Sequence, residues 1–332
     1  MSINRRLLMT NMAWLALAQA APLRAGSFRQ IPQRPSARVI VDNDFAGDPD
    51  GVLALAHHLL SPTTQTVLIT SSFLAEKMTP EDVAPGRTAQ MGADSAMETM
   101  RRLDIAGPPP VAAGHEHPMT DTKSPSAAAV AIVAEARRSD RLPLFLCCGG
   151  PLTNVAEALR LAPDIAARMT LIWIGGGGYP SGGWEYNLAT DAAAARLVIE
   201  DSALPLWQVP QPAYRQMQLS IAEMTADVRP ISTFTQWLYD QFTRPPSFVT
   251  LGGAWPMGDS PPVLLTAITT ESSEHLDQPA RRILDDMHYG DVVPGRQIRV
   301  YQRIDVRTTH ADLIAKLRLH AAQAPAQAPG VR

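Results

Sequence analysis

The chain has 332 residues, 45% of them hydrophobic and 18% charged, which is enough for one large α/β domain with a substantial core. Its 29 basic and 32 acidic side chains leave a net charge of −3, and only 6% of residues are aromatic. With no block of Lys or Arg and few aromatics, nucleic acid is not expected as a partner.

At the N-terminus, Asn4-Arg5-Arg6 precedes an apolar stretch from Leu7 to Leu17, then Ala18-Gln19-Ala20 and Leu23-Arg24-Ala25. A positive region, a short apolar region and an Ala-x-Ala site have the form of a secretory signal, which we assign to residues 1–25. The arginine pair suggests twin-arginine export, hence a periplasmic or secreted location. A membrane-spanning helix needs ~20 apolar residues, so no stable membrane anchor is expected.

Arg38–Val41 is a β-branched strand that runs into Asp42-Asn43-Asp44-Phe45-Ala46-Gly47-Asp48-Pro49-Asp50-Gly51. Val52, Leu53, Leu55, Ala56, Leu59 and Leu60 then recur at helical spacing, with His57 and His58 as surface or packing residues. Carboxylates this close repel one another, and burial would push their pKa values up unless a counter-charge were present. An oxygen-rich cluster of this kind suits a hard cation such as Ca²⁺. A solvated acidic loop is the plain alternative. Strand, acidic turn and helix in succession present a site at the carboxyl edge of an α/β sheet.

Farther along, Val67–Thr70 is a strand and Ala89–Leu103 a helix, and Pro108–Gly114 reads as loop and edge strand. Ala127–Arg138 is helical and Leu142–Cys148 a buried strand. Cys147 and Cys148 are neighbours with Cα atoms ~3.8 Å apart, below the ~4.4–6.8 Å of a disulfide, so they read as small buried residues. Leu152–Leu161 is a helix closed by Pro163, and Met169–Ile174 a strand that ends in four glycines. Asp191–Glu200 is helical, Leu204–Val209 a strand, and Met217–Leu251 is expected to pack as helices against the sheet edge. An apolar helix begins at Val263, and the low-complexity tail 321–332 is expected to be disordered. This rhythm predicts one α/β domain over residues 35–320, with a mostly parallel central sheet flanked by helices in a Rossmann-like arrangement.

Three later segments could carry chemistry. Cys148-Gly149-Gly150-Pro151-Leu152-Thr153-Asn154 lies between a strand and a helix, where glycines let the backbone approach a ligand. It lacks the Gly-Lys-Ser/Thr ending of a P-loop, and a plain strand-to-helix turn is the alternative. Glu185 and Asn187, after the glycines 175–178, would share one face of an extended chain and suit sugar hydroxyls, since together they accept and donate. Asp259, in Trp255-Pro256-Met257-Gly258-Asp259, could be a ligand or simply a helix N-cap.

An EF-hand does not fit the acidic turn, because position twelve from Asp42 is Leu53 rather than Glu. An aspartyl-phosphate phosphatase would place a small Gly-Thr pair where Phe45-Ala46 stands. The ordered set of acidic turn, Gly-Gly-Pro-Leu-Thr-Asn, Ile-Gly-Gly-Gly with Glu-x-Asn, and a late Asp resembles the inosine/uridine-preferring nucleoside hydrolases, as does Pro110-Val-Ala-Ala-Gly114. The likeness runs from about Arg38 to about Asp259.

That resemblance implies a Ca²⁺-dependent N-ribosyl hydrolase that splits ribonucleosides, or a related N-riboside, into base and ribose. Asp44 matches the metal-binding, water-activating aspartate, and Asp42 the aspartate that supports it. Asp48 or Asp50, the Gly149 carbonyl and Asp259 would complete the metal set. Asp50, Glu185 and Asn187 would grip ribose, and Trp184, Tyr179 or Trp255 could stack on the base. The substrate is thus a small nucleoside, and the family often forms homodimers or tetramers. Two departures stand out: Gly51 where the family commonly has a second aspartate, and Gly258 where many members carry the histidine that protonates the departing base. The second implies an easily departing base or a slow enzyme. A catalytically impaired homologue that keeps the calcium site to bind nucleoside or ribose is the alternative.

Overall fold

β1 (Ala37–Asn43) is buried along its whole length, which is why Ala-Arg-Val-Ile-Val reads as an almost unbroken apolar run rather than an alternating one. The computed structural model describes residues 33–79, 83–84, 86–121, 124–243 and 252–323. The signal expected at 1–25 lies outside them. From Arg34 onward the chain gathers into one unit.

The strands that follow are β2 (Thr64–Ser71), β3 (Val111–Ala113), β4 (Leu144–Cys148), β5 (Thr170–Ile174) and β6 (Leu206–Val209). β7 (Gln218–Ser220) pairs antiparallel with β8 (Ala254–Pro256) in a small separate sheet. β9 (Glu274–Ile283) and β10 (Tyr289–Arg303) form a hairpin. The main sheet runs β3-β2-β1-β4-β5-β6-β10-β9, parallel throughout except for the last pair. This is the expected single α/β domain with a mostly parallel sheet.

Helices α1 (Asp50–Leu59), α2 (Thr88–Arg102), α3 (Ala127–Arg137) and α4 (Thr153–Leu161) connect the strands. Successive strand residues face opposite sides, so one core takes Ile40, Leu146 and Cys148 against α3 and α4. The other takes Val39, Val41 and Cys147 against α1 and α2. The adjacent cysteines are therefore buried, free and on opposite faces. His57 is buried in α1, its Nε2 2.7 Å from Asp312 Oδ2 of the C-terminal helix Val306–Gln323.

Several expectations need correction. The β9–β10 hairpin was not anticipated, because β9 is an exposed edge with Pro279 in its middle; an edge tolerates a residue that cannot donate to the ladder. Met217–Leu251 does not simply pack as helices against the sheet edge. It begins with β7, and its helix Thr233–Phe242 lies over one face, with Trp237 beneath the Arg102 guanidinium and Phe242 edge-on to Trp255. Residues 244–251 lie outside the described ones. The C-terminal helix runs to Gln323, beyond the expected tail start at Ala321, and residues 324–332 are not described.

Candidate active site

The chain leaves β1 for β2 and β3 on one side, then crosses to β4 on the other, so a crevice opens beyond the carboxyl ends of β1 and β4. The Gly149 N–H donates to the Asp42 carbonyl at 2.9 Å and holds the two strand ends together. A cavity of about 360 Å³ lies there.

Residues from four distant segments line that cavity. The acidic turn contributes Asp44, Asp48 and Asp50, the β4 end contributes Gly149, and the segment after β5 contributes Trp184, Glu185 and Asn187. Asp259 closes it from the loop after β8. Asp42 lies beneath, fully buried; Thr70 Oγ1 (2.5 Å) and Asn154 Nδ2 (2.8 Å) donate to its Oδ2.

The electrostatics follow from crowding. Burial, then the charges of Asp48 and Asp50, holds the Asp44 carboxyl well above the usual range. Asp50 is raised by burial and by Asp259 and Asp48; Asp259, only partly exposed, is raised by burial and by Asp44. Asp48 is also raised by burial, yet it reaches the rim, where water screens it. Burial pushes Asp42 up to about 6 against its hydrogen bonds.

Glu185 and Asn187 meet in the cavity, but not on an extended chain as expected. Glu185 is the N-cap of α5 (Tyr186–Thr190), which contains Asn187. The Glu185 carboxylate accepts from Gly176 N (2.8 Å), Leu188 N (3.0 Å) and the Tyr214 hydroxyl (2.9 Å). Asn187 Nδ2 donates to the carbonyls of Gly149 (3.0 Å) and Ile174 (2.9 Å), leaving its buried Oδ1 without a partner among the described residues. Asp259 is not the helix N-cap, which is Ser260. Its backbone N–H donates to Asp50 Oδ2 at 3.2 Å.

Of the three aromatics suggested for the base, only Trp184 lines the cavity, and it is 58% exposed at the mouth. Trp255 is buried beside Phe242, and the Tyr179 hydroxyl donates to the Pro279 carbonyl, so neither is available. Tyr186, Gln211, Tyr214 and Arg215 line the cavity unforeseen. Their signal was positional, since they follow the carboxyl ends of β5 and β6. Among the described residues no histidine lines it. At Gly258, a Cβ would stand 3.1 Å from the Tyr214 ring and 3.4 Å from Asp50 Oδ2.

A family model described as inosine-uridine preferring nucleoside hydrolase matches residues 39–275. The chain belongs to that family. As a nucleoside hydrolase it is an N-ribosyl hydrolase, and it is 29% identical over 224 residues to the pyrimidine-specific ribonucleoside hydrolase RihA of Salmonella agona (strain SL483). That match covers 61% of this chain and 70% of the relative. Its fold is shared with the purine-preferring ribonucleoside hydrolase from Gardnerella vaginalis, with a TM-score of 0.67 and 18% identity over 86% of this chain and 99% of that one. The inosine-uridine preferring nucleoside hydrolase from Bacillus anthracis gives a TM-score of 0.62 and 16% identity, covering 85% and 99%.

The nucleoside hydrolase family implies a bound metal. Among the described residues no three His, Cys, Asp or Glu side chains already converge as a ready cage. The available donors are nevertheless all oxygens, several of them carboxylates whose charges oppose one another. Asn187 Oδ1 adds a buried oxygen without a partner among the described residues. This chemistry fits a hard divalent cation and not a soft one.

Proposed function

We propose that the protein hydrolyses the N-glycosidic bond of ribonucleosides, or of a related N-riboside, in a Ca²⁺-dependent reaction. The observation that supports this reading most is the convergence of Asp44, Asp50, Glu185, Asn187 and Asp259 on one cavity at the topological switch point. Asp44, Asp48 or Asp50, Asp259 and the Gly149 carbonyl would hold the cation. Bound there, calcium would supply ribose-hydroxyl coordination and a lowered pKa for water.

The chain's own groups do the rest. Asp44 takes the proton of the attacking water as general base. Asp42, fixed by Thr70 and Asn154, holds the strand end from which Asp44 projects. Asn187 Oδ1 and the remaining Glu185 lone pairs accept from sugar hydroxyls, orienting C1′. Water adds at C1′, the C1′–N bond breaks, and the base leaves with the bonding pair. Carboxylates around the ring oppose the positive charge that develops on the sugar. The N-terminal Arg5-Arg6 and apolar stretch support a periplasmic or secreted setting.

The test is release of reducing sugar from a panel of purine and pyrimidine ribonucleosides, with calcium and with chelator. Calcium-dependent release carries the reading, and the panel names the base. Nucleoside binding without release would favour the impaired homologue instead, a reading suggested by the absence of a histidine among the described lining residues. Trp184→Ala should raise KM by about tenfold with kcat little changed, since an exposed stacking platform contributes ~1–3 kcal/mol to holding a base. An unchanged KM would remove Trp184 from the base site.

A further inference from the structure

Asn43 lies between Asp42 and Asp44, and nothing above employs it. Its side chain is 2% exposed at the end of β1. Nδ2 donates to Asp259 Oδ2 at 3.0 Å, across 216 residues of chain, while Oδ1 is buried without a partner among the described residues. Two glycines face this carboxamide. A Cβ at Gly51 would stand 2.8 Å from Oδ1, and one at Gly149 would collide with Nδ2 and come within 2.8 Å of Asp259 Oδ1. Gly51 belongs to the first turn of α1, next to Asp50. The amide thus touches the three segments that bring Asp50, Gly149 and Asp259 to the cavity.

We propose that Asn43 is the positioning residue that fixes the Asp259 carboxylate at the cavity floor, and that Gly51 and Gly149 lack side chains to admit its amide. The proposal rests on the calcium reading of the site. A neutral amide suits this place because it donates to Asp259, whereas a carboxylate would set another like charge 3.0 Å away. The departure at Gly51 then has a physical reason. An acidic side chain there would occupy the volume that the amide holds.

The test is calcium affinity of the full chain by titration calorimetry, with the melting temperature in chelator measured in parallel. Asn43→Ala should weaken calcium binding about 10–100-fold, the usual loss when a group that orients a metal ligand is removed. Gly51→Ala should weaken it similarly by pushing the amide aside, although alanine is otherwise favoured in a helix. The double variant should bind no more weakly than Asn43→Ala alone, because the displaced group is already gone.

Wild-type affinity in Asn43→Ala would overturn the proposal, as would strict additivity in the double variant. A lower melting temperature with unchanged affinity would make Asn43 structural only, which also overturns it. If Asn43→Ala fails to fold, Gly51→Ala decides alone. If the wild-type chain itself binds no calcium, the metal reading of the site fails, an outcome distinct from the failure of Asn43.

Discussion

Asp44→Asn should lower kcat for nucleoside hydrolysis by about 10²–10⁴-fold at saturating calcium, the usual contribution of a positioned general base. The amide keeps the size of the carboxylate and cannot take a proton. Asp44 lies in the cavity, 8% exposed, flanked by Asp48 and Asp50, whose charges with burial hold its carboxyl high. Its charge is therefore hard to maintain in the bare chain, and a bound cation would restore it. The substitution also relieves repulsion, so the melting temperature in chelator should rise rather than fall. Reducing-sugar release measured alongside nucleoside binding separates the two effects. A kcat within about threefold of wild type would take the base role from Asp44.

Calcium should offset the loss of stability as pH rises. Asp42, Asp44, Asp50 and Asp259 all have carboxyls raised in the folded chain. Below the unfolded value, folded and unfolded chains are both protonated and the raised pKa values confer their full benefit. As pH rises through the interval up to the folded value, the folded chain binds more protons than the unfolded one, and stability is lost. For Asp42 the interval runs from 3.8 to about 6, worth roughly 3 kcal/mol.

A cation binds the deprotonated carboxylates, so its stabilisation grows over the same interval. It reaches about 2.7 kcal/mol at a calcium concentration 100 times the dissociation constant, or about 4 °C for a chain of this size. Melting curves in chelator and in calcium should nearly coincide at about pH 4.5 and diverge by pH 7. Surface pairs such as Arg137–Asp164, where the arginine holds the carboxyl low, act in the opposite sense but alike in both buffers. They cancel in the difference. Parallel curves would argue against a cation at these carboxylates.

The acidic turn shows how far local pattern reaches. Its β-branched strand, its crowded aspartates and the helical spacing after it were legible because each depends on neighbours within a few residues. The glycine turn at Gly149 and the Glu185/Asn187 pair could be picked out on the same terms, though the backbone between the last two is a helix cap rather than a strand. The β9–β10 hairpin was not legible, because an exposed edge needs no alternation and tolerates Pro279.

The parallel α/β rhythm, the oxygen-rich chemistry of the turn and the family of the chain can all be read from the order of its residues. Which groups share a cavity follows from the three-dimensional packing. It brought Tyr186 and Tyr214 in, left Trp255 and Tyr179 out, and set the Asn43 amide against Gly51, Gly149 and Asp259. The reason is physical. Pattern records which face of an element is buried, whereas the distance between residues 216 positions apart depends on strand order, and strand order is settled by packing the whole sheet.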